Sequence, residues 1–185
     1  QVLLWLARAG LLAVFLVHIG TTMSLIIANR RARPQRYAVK ARLQSTVYVR
    51  TMALSGLVVL SFLIFHVLQF AGGLSPYSQL YDLEGRHDVS AMIIMSFHNP
   101  LVSGFYLLSL VLLGMHLSHG ISSIFQTFGL NGRKSSKLIK HGGLLVAWAL
   151  MIGFASIPVA SVTGFLKVLP DERRPVRELT ASSNS

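Results

Sequence analysis

Two imidazoles, His116 and His119, stand in the stretch 114–131, directly after the uncharged apolar run 101–113. Together these residues make one hydrophobic segment of membrane-spanning length. A titratable side chain at bilayer depth costs about 3 kcal/mol or more, so its presence there points to function by default. Neutral imidazole is also a side chain that holds haem iron. His116 is therefore a candidate axial haem ligand, and His18 and His66, each inside another apolar run, are the next two.

The elements that must position these side chains follow from composition. The chain has 185 residues, 52% hydrophobic and 12% charged, far too little polar surface for a soluble domain of this length. The apolar residues gather into four blocks, each long enough as a helix to cross a hydrocarbon core of about 30 Å. None shows the alternation of a barrel strand, so the expected fold is an all-α transmembrane bundle over residues 1–166 with a polar tail, 167–185. There is no cysteine, which leaves His, carboxylate or Met to hold any metal. The net charge of +11 lies in short segments between apolar blocks rather than on a face with exposed aromatics, which argues against nucleic acid.

The first block, 2–29, carries Arg8 near its start, where it can snorkel, and His18 about 15 Å from either end. The given sequence opens directly on this apolar block, and sequence before Gln1 is expected to be missing. A basic linker follows, with Arg30, Arg31, Arg33, Arg36, Lys40, Arg42 and Arg50 and no acid, and Pro34 is expected to stop the first helix. The second block is 51–71, closed by Gly72 and Gly73. The polar stretch 74–99 holds Asp82, Glu84 and Asp88 against Arg86, with a short surface helix expected over 91–97 and exposed loop histidines at His87 and His98. The third block, 100–129, opens on Pro100 in the favoured first turn. A second basic loop holds Arg133, Lys134, Lys137 and Lys140; the fourth block, 141–166, contains Pro158 as an expected kink. The positive-inside rule puts loops 30–50 and 132–141 in the cytoplasm and stretch 74–99 outside.

Depth decides which histidines can pair. His18 and His116 lie on blocks running in the same sense, about twelve and about seventeen residues before their basic loops, and helix ends reaching into the headgroups make these depths compatible. Two imidazoles at one level can clamp a haem, and filling both axial positions favours electron transfer over oxygen chemistry. His66 belongs to a level nearer the outside, without a partner of matching depth. The alternative for each is a hydrogen bond to a carbonyl or a place in a polar cavity. For His119 a hydrogen-bonding role is the preferred reading, and for His141 an interfacial one. Gly10, Gly20, Gly56, Gly104, Gly114 and Gly120 would let helices, or a flat macrocycle, approach closely.

The run His116–Asn131, the linker Ala28-Asn29-Arg30-Arg31-Ala32-Arg33-Pro34 with Arg36-Tyr37-Ala38-Val39-Lys40, and Arg50-Thr51-Met52 resemble the bacterial two-haem cytochrome b subunit of succinate dehydrogenase and fumarate reductase. The likeness extends to about residue 166. That family has five helices and two haems b, each held by histidines from two helices. The resemblance implies that His18 and His116 hold the haem nearer the cytoplasm and that His66 is one ligand of the outer haem. The other outer ligand belongs to a first helix that this sequence lacks, so truncation is expected. It further implies electron transfer between succinate or fumarate and a quinone, expected to be menaquinone, with a flavoprotein and an iron–sulfur subunit docked on the cytoplasmic face of a bacterial inner membrane. A higher oligomer of the complex is open. The dicarboxylate chemistry would lie in those partners; Arg50 or Lys134 could meet haem propionates. The competing readings are the haem anchor of a hydrogenase or formate dehydrogenase, and a transporter or structural membrane subunit without haem.

Overall fold

A computed structural model describes residues 2–32, 47–82, 84–130, 132, 135–168 and 174–175. The chain divides into two compact units, Gln1–Gln44 and Ser45–Ser185. The first consists of helix α1, Val2–Arg31. It has no buried residue and is apolar around its whole circumference, as a helix surrounded by lipid or by other apolar helices must be. Thr21 and Ser24 donate their hydroxyl protons to the carbonyls of Val17 and Gly20, both at 2.8 Å, which lets them sit in an apolar helix at little cost.

The second unit contains α2 (Val47–Phe70), strand β1 (Leu80–Tyr81), the short α3 (Val89–Phe97), α4 (Pro100–Thr127), α5 (Ser135–Val162) and strand β2 (Arg174–Pro175). Helix α4 packs against both α2 and α5, and α3 packs against α4 and α5. The contacts fix the direction of each pair. Ser55 meets His116 while Gln69 meets Tyr106, so α2 and α4 are antiparallel. A Cβ on Gly114 would meet Met151, and one on Gly143 would meet Ile121, so α4 and α5 are antiparallel too. Among the described residues four helices are long and apolar enough to cross a membrane, α1, α2, α4 and α5, and the protein is a multi-pass membrane protein.

Local sequence explains the helix ends. Asn99 accepts from the backbone N–H of Leu101 at 2.9 Å, and Pro100 follows where its missing N–H costs nothing. Asp88 caps α3 by accepting from Ala91 N at 2.9 Å. At the end of α2, Gly72 N–H returns to Val67 O at 2.9 Å. A side chain on Gly72 would strike the Leu68 carbonyl oxygen at 2.8 Å, and Gly73 has a φ of 74°, so both glycines are required by backbone geometry.

The interior is small and aromatic. Phe62, Phe97 and Tyr106 form its centre, with Phe70, Ile93 and Val102 packed around them. Ser103 donates to Phe97 O at 2.6 Å, and Ser75 and Ser96 share a hydrogen bond of 3.0 Å, so the last turn of α3 is tied down on two sides. In lipid such packing gains from dispersion and directional contacts more than from expulsion of water.

Several expectations are adjusted. Helix α3 does form, starting at Val89, and its Ala91, Met92, Ser96 and Phe97 are buried against the bundle. Helix α2 starts at Val47, and α5 starts at Ser135, so Lys137 and Lys140 belong to the opening turns of α5 and not to a loop. Pro158 lies inside α5, fully buried. The polar tail contributes β2, which pairs antiparallel with β1 through Leu80–Pro175 and Tyr81–Arg174; a two-residue strand carries no periodic signal. Pro34, most of the first basic linker, Arg133, Lys134 and the rest of the tail lie outside the described residues.

Two consequences can be measured. The Cβ of a substituted Gly143 would lie 3.0 Å from Ile121 Cγ2 and 3.3 Å from its Cβ, so Gly143→Leu must push α5 off α4. We expect a loss of about 1–3 kcal/mol in detergent unfolding, whereas Gly142→Leu, with open space, should be near neutral. In the acidic loop, Asp82 accepts from the backbone N–H groups of Arg86 and Glu84, each at 2.9 Å, and from Arg86 Nε at 2.9 Å. The Arg86 backbone bond foremost holds its carboxyl below the ordinary aspartate range. The ordering of this loop is then complete above that range and is lost as pH falls through the lowered value. The amide shifts of Glu84 and Arg86 should titrate together below ordinary aspartate; a midpoint at or above it would contradict the assignment.

Candidate functional site

The seam between α2 and α4 holds two imidazoles at two levels. His116 is half-buried on α4, and its Nδ1 lies 3.2 Å from Ser55 Oγ on α2. Gly56 makes the approach feasible, because a Cβ there would stand 3.3 Å from His116 Cε1. His66 is on α2, and its Nδ1 lies 3.3 Å from the Tyr106 hydroxyl of α4. Tyr106 and His116 are ten residues apart on one helix, so the two sites differ in height by about 15 Å. The sequence separates His66 and His116 into different levels, and the seam does the same.

Hydrogen accounting assigns a ring protonation at both sites. A serine or tyrosine hydroxyl has one hydrogen to donate. Ser55 directs its hydrogen to the Met52 carbonyl at 3.0 Å, so its oxygen accepts from His116 Nδ1–H. Tyr106 directs its hydrogen to Gln69 Oε1 at 2.8 Å, so its oxygen accepts from His66 Nδ1–H. Each imidazole is then the Nδ1–H tautomer, and Nε2 carries the lone pair. That is the protonation state in which a histidine ligates a metal, with the outer nitrogen held by a neighbour.

The His66 ring is also held by its surroundings. Phe70 stands edge-on with centroids 5.5 Å apart, Phe62 lies 5.9 Å away, and Tyr106 6.0 Å. The outward side of His66 is exposed on the unit surface. His119 lies on α4, with Nε2 3.2 Å from Ser123 Oγ one turn on, a contact within its own helix. His18 lies on α1 in the first unit, on an exposed part of that helix.

The remaining histidines serve local structure. His87, exposed, donates through Nε2 to Ser78 O at 2.6 Å. His98 donates through Nδ1 to Ile94 O at 2.8 Å as it ends α3, and His141 likewise to Lys137 O at 2.7 Å. Both follow the pattern of a terminal side chain bonding back to its own helix. Among the described residues, no three His, Cys, Asp or Glu side chains gather as a metal cluster.

Three residues at this seam carry no signal as ligands and stand out only in retrospect: Ser55, Gln69 and Tyr106, each about 5% exposed or less. Their polarity inside apolar spans is the one feature that marks them in the sequence. Of the small residues singled out there, Gly56 and Gly114 make close approaches, to His116 and Met151, whereas Gly10, Gly20, Gly104 and Gly120 meet nothing within 4 Å. The charged candidates for anion contact, Arg50 and Lys134, have side chains outside the described residues.

Gly56→Val should displace the His116 ring and break its bond to Ser55, while leaving His66 in place. A histidine-resolved NMR spectrum in detergent should show one shifted imidazole; movement of both would mean that the two levels are coupled. Compared with protein-family models, with curated proteins and with solved structures, the chain matches none.

Proposed function

We propose that this chain is the haem-binding membrane anchor of a succinate:quinone oxidoreductase, passing electrons between an iron–sulfur subunit and membrane quinone. The observation that carries the reading is the matched contact of His66 and His116, each with Nδ1 against a hydroxyl of the facing helix. On two antiparallel spans, at two heights, the neighbouring helix accepts from Nδ1 and leaves Nε2 as the lone-pair nitrogen. A transporter histidine used as a proton relay has no need for one fixed tautomer at both levels. The resemblance of the third apolar block and the first basic linker to the two-haem cytochrome b subunit agrees with it.

In this reading His116 and His18 would be ligands of one haem b, and His66 would be one ligand of a second. Haem, when bound, supplies reversible one-electron exchange. The protein's part is to fix the two imidazoles, to keep water from the seam and to set the vertical spacing. About 15 Å between ligand levels leaves the two haems separate but within one membrane thickness. The partners are a flavoprotein and an iron–sulfur subunit, docked at the end of the bundle where Lys137 and Lys140 open α5, and that end is the cytoplasmic one. Succinate or fumarate chemistry takes place in those partners, and the quinone, menaquinone in this reading, is the substrate on the membrane side. The membrane is a bacterial cytoplasmic membrane.

Visible spectroscopy of the protein purified from membranes tests this. Reduction with dithionite should give sharp b-type bands in two components. His116→Ala and His18→Ala should each remove the same component, and His66→Ala the other. A protein without such bands is no cytochrome; loss of one component by both His18→Ala and His66→Ala would overturn the pairing.

A further inference from the structure

We propose that Tyr106 and Gln69 are positioning residues for His66, setting how strongly its Nε2 donates to an iron. This rests on the reading of His66 as a haem ligand. The three side chains form one chain of hydrogen bonds, His66 Nδ1–H to Tyr106 Oη at 3.3 Å and Tyr106 O–H to Gln69 Oε1 at 2.8 Å. Gln69 is three residues after His66, so both lie on neighbouring parts of the α2 surface that meets α4. Tyr106 is 4% exposed and Gln69 5%, so water does not compete for either group. The phenol ring is clamped edge-on by Phe97 at 4.8 Å and Phe62 at 5.1 Å, which holds the hydroxyl in place.

The consequence for a ligand is electronic. An acceptor on Nδ1–H shifts electron density towards Nε2 and strengthens it as a donor, which favours the ferric state and lowers the potential. A hydroxyl that itself donates is a better acceptor, because linked hydrogen bonds polarise one another. Gln69 therefore acts on His66 through Tyr106, without touching the ring. The arrangement differs from that of His116. Ser55, the hydroxyl beside His116, directs its proton to a carbonyl of its own helix rather than to a side chain.

The experiment is a redox titration of the protein purified with its haem and partner subunits. Tyr106→Phe keeps the ring and its packing but removes the acceptor. It should raise the midpoint potential of the component that His66→Ala removes and leave the other component unmoved. Gln69→Leu should shift the same component in the same direction by less. If that component is present in full and its potential is unchanged in Tyr106→Phe, the assignment is overturned while the haem reading stands. The same holds if the shift appears in the other component. If His66→Ala removes no spectral component, the role of His66 as a ligand fails and this assignment fails with it.

Discussion

Inside a bilayer there is no water to take up an unplaced proton, and the arrangement of the second unit follows from that constraint. Every hydroxyl has one hydrogen to place, and an apolar surrounding makes an unplaced one cost about 1–3 kcal/mol. Ser118 and Ser122 place theirs on carbonyls one turn back, at 2.6 and 3.0 Å. Ser103 reaches across to Phe97 O, and Tyr106 to Gln69. With hydroxyl protons placed in this way, the oxygens of Ser55 and Tyr106 face the two imidazoles as acceptors. Among the described residues, one buried side-chain oxygen stands apart, Ser109 Oγ, which has no partner.

Packing and polarity cooperate along the same seam. Gly56 removes the side chain that would otherwise occupy the place of the His116 ring, and Ser55 beside it supplies the acceptor. Eleven residues later on α2 the solution differs. His66 lies among aromatic edges, and its acceptor comes from α4. A glycine with a hydroxyl at one level and an aromatic clamp at the other achieve the same result, a ring that cannot turn.

Much of the architecture was legible in the sequence because hydrophobic length is a strong signal. All four spans are where the apolar blocks lie, and Pro100 opens α4 as its position demands. The ends were less legible. Lys137 and Lys140 read as loop because they are charged, yet α5 already runs through them; charge marks the membrane boundary, whereas a helix can continue beyond it. The β1–β2 pair depends on a contact between distant segments and leaves no local pattern. At the site, the histidines declared themselves by charge cost in an apolar run. Their partners did not, since a serine, a tyrosine or a glutamine in a helix gives no hint of which neighbour it faces until the helices are paired.

That difference bears on how the two imidazole sites can be altered. Each imidazole is one side chain, but its hydrogen bonding is set by the hydroxyl on the facing helix and by the group which that hydroxyl meets in turn. From His116 the contact to Ser55 leads on to the backbone carbonyl of Met52, which no substitution can remove. From His66 the contact to Tyr106 leads on to the side chain of Gln69, which a substitution can remove. At the second level a substitution two hydrogen bonds away can therefore alter the bonding of the imidazole while the surrounding aromatic rings hold the fold.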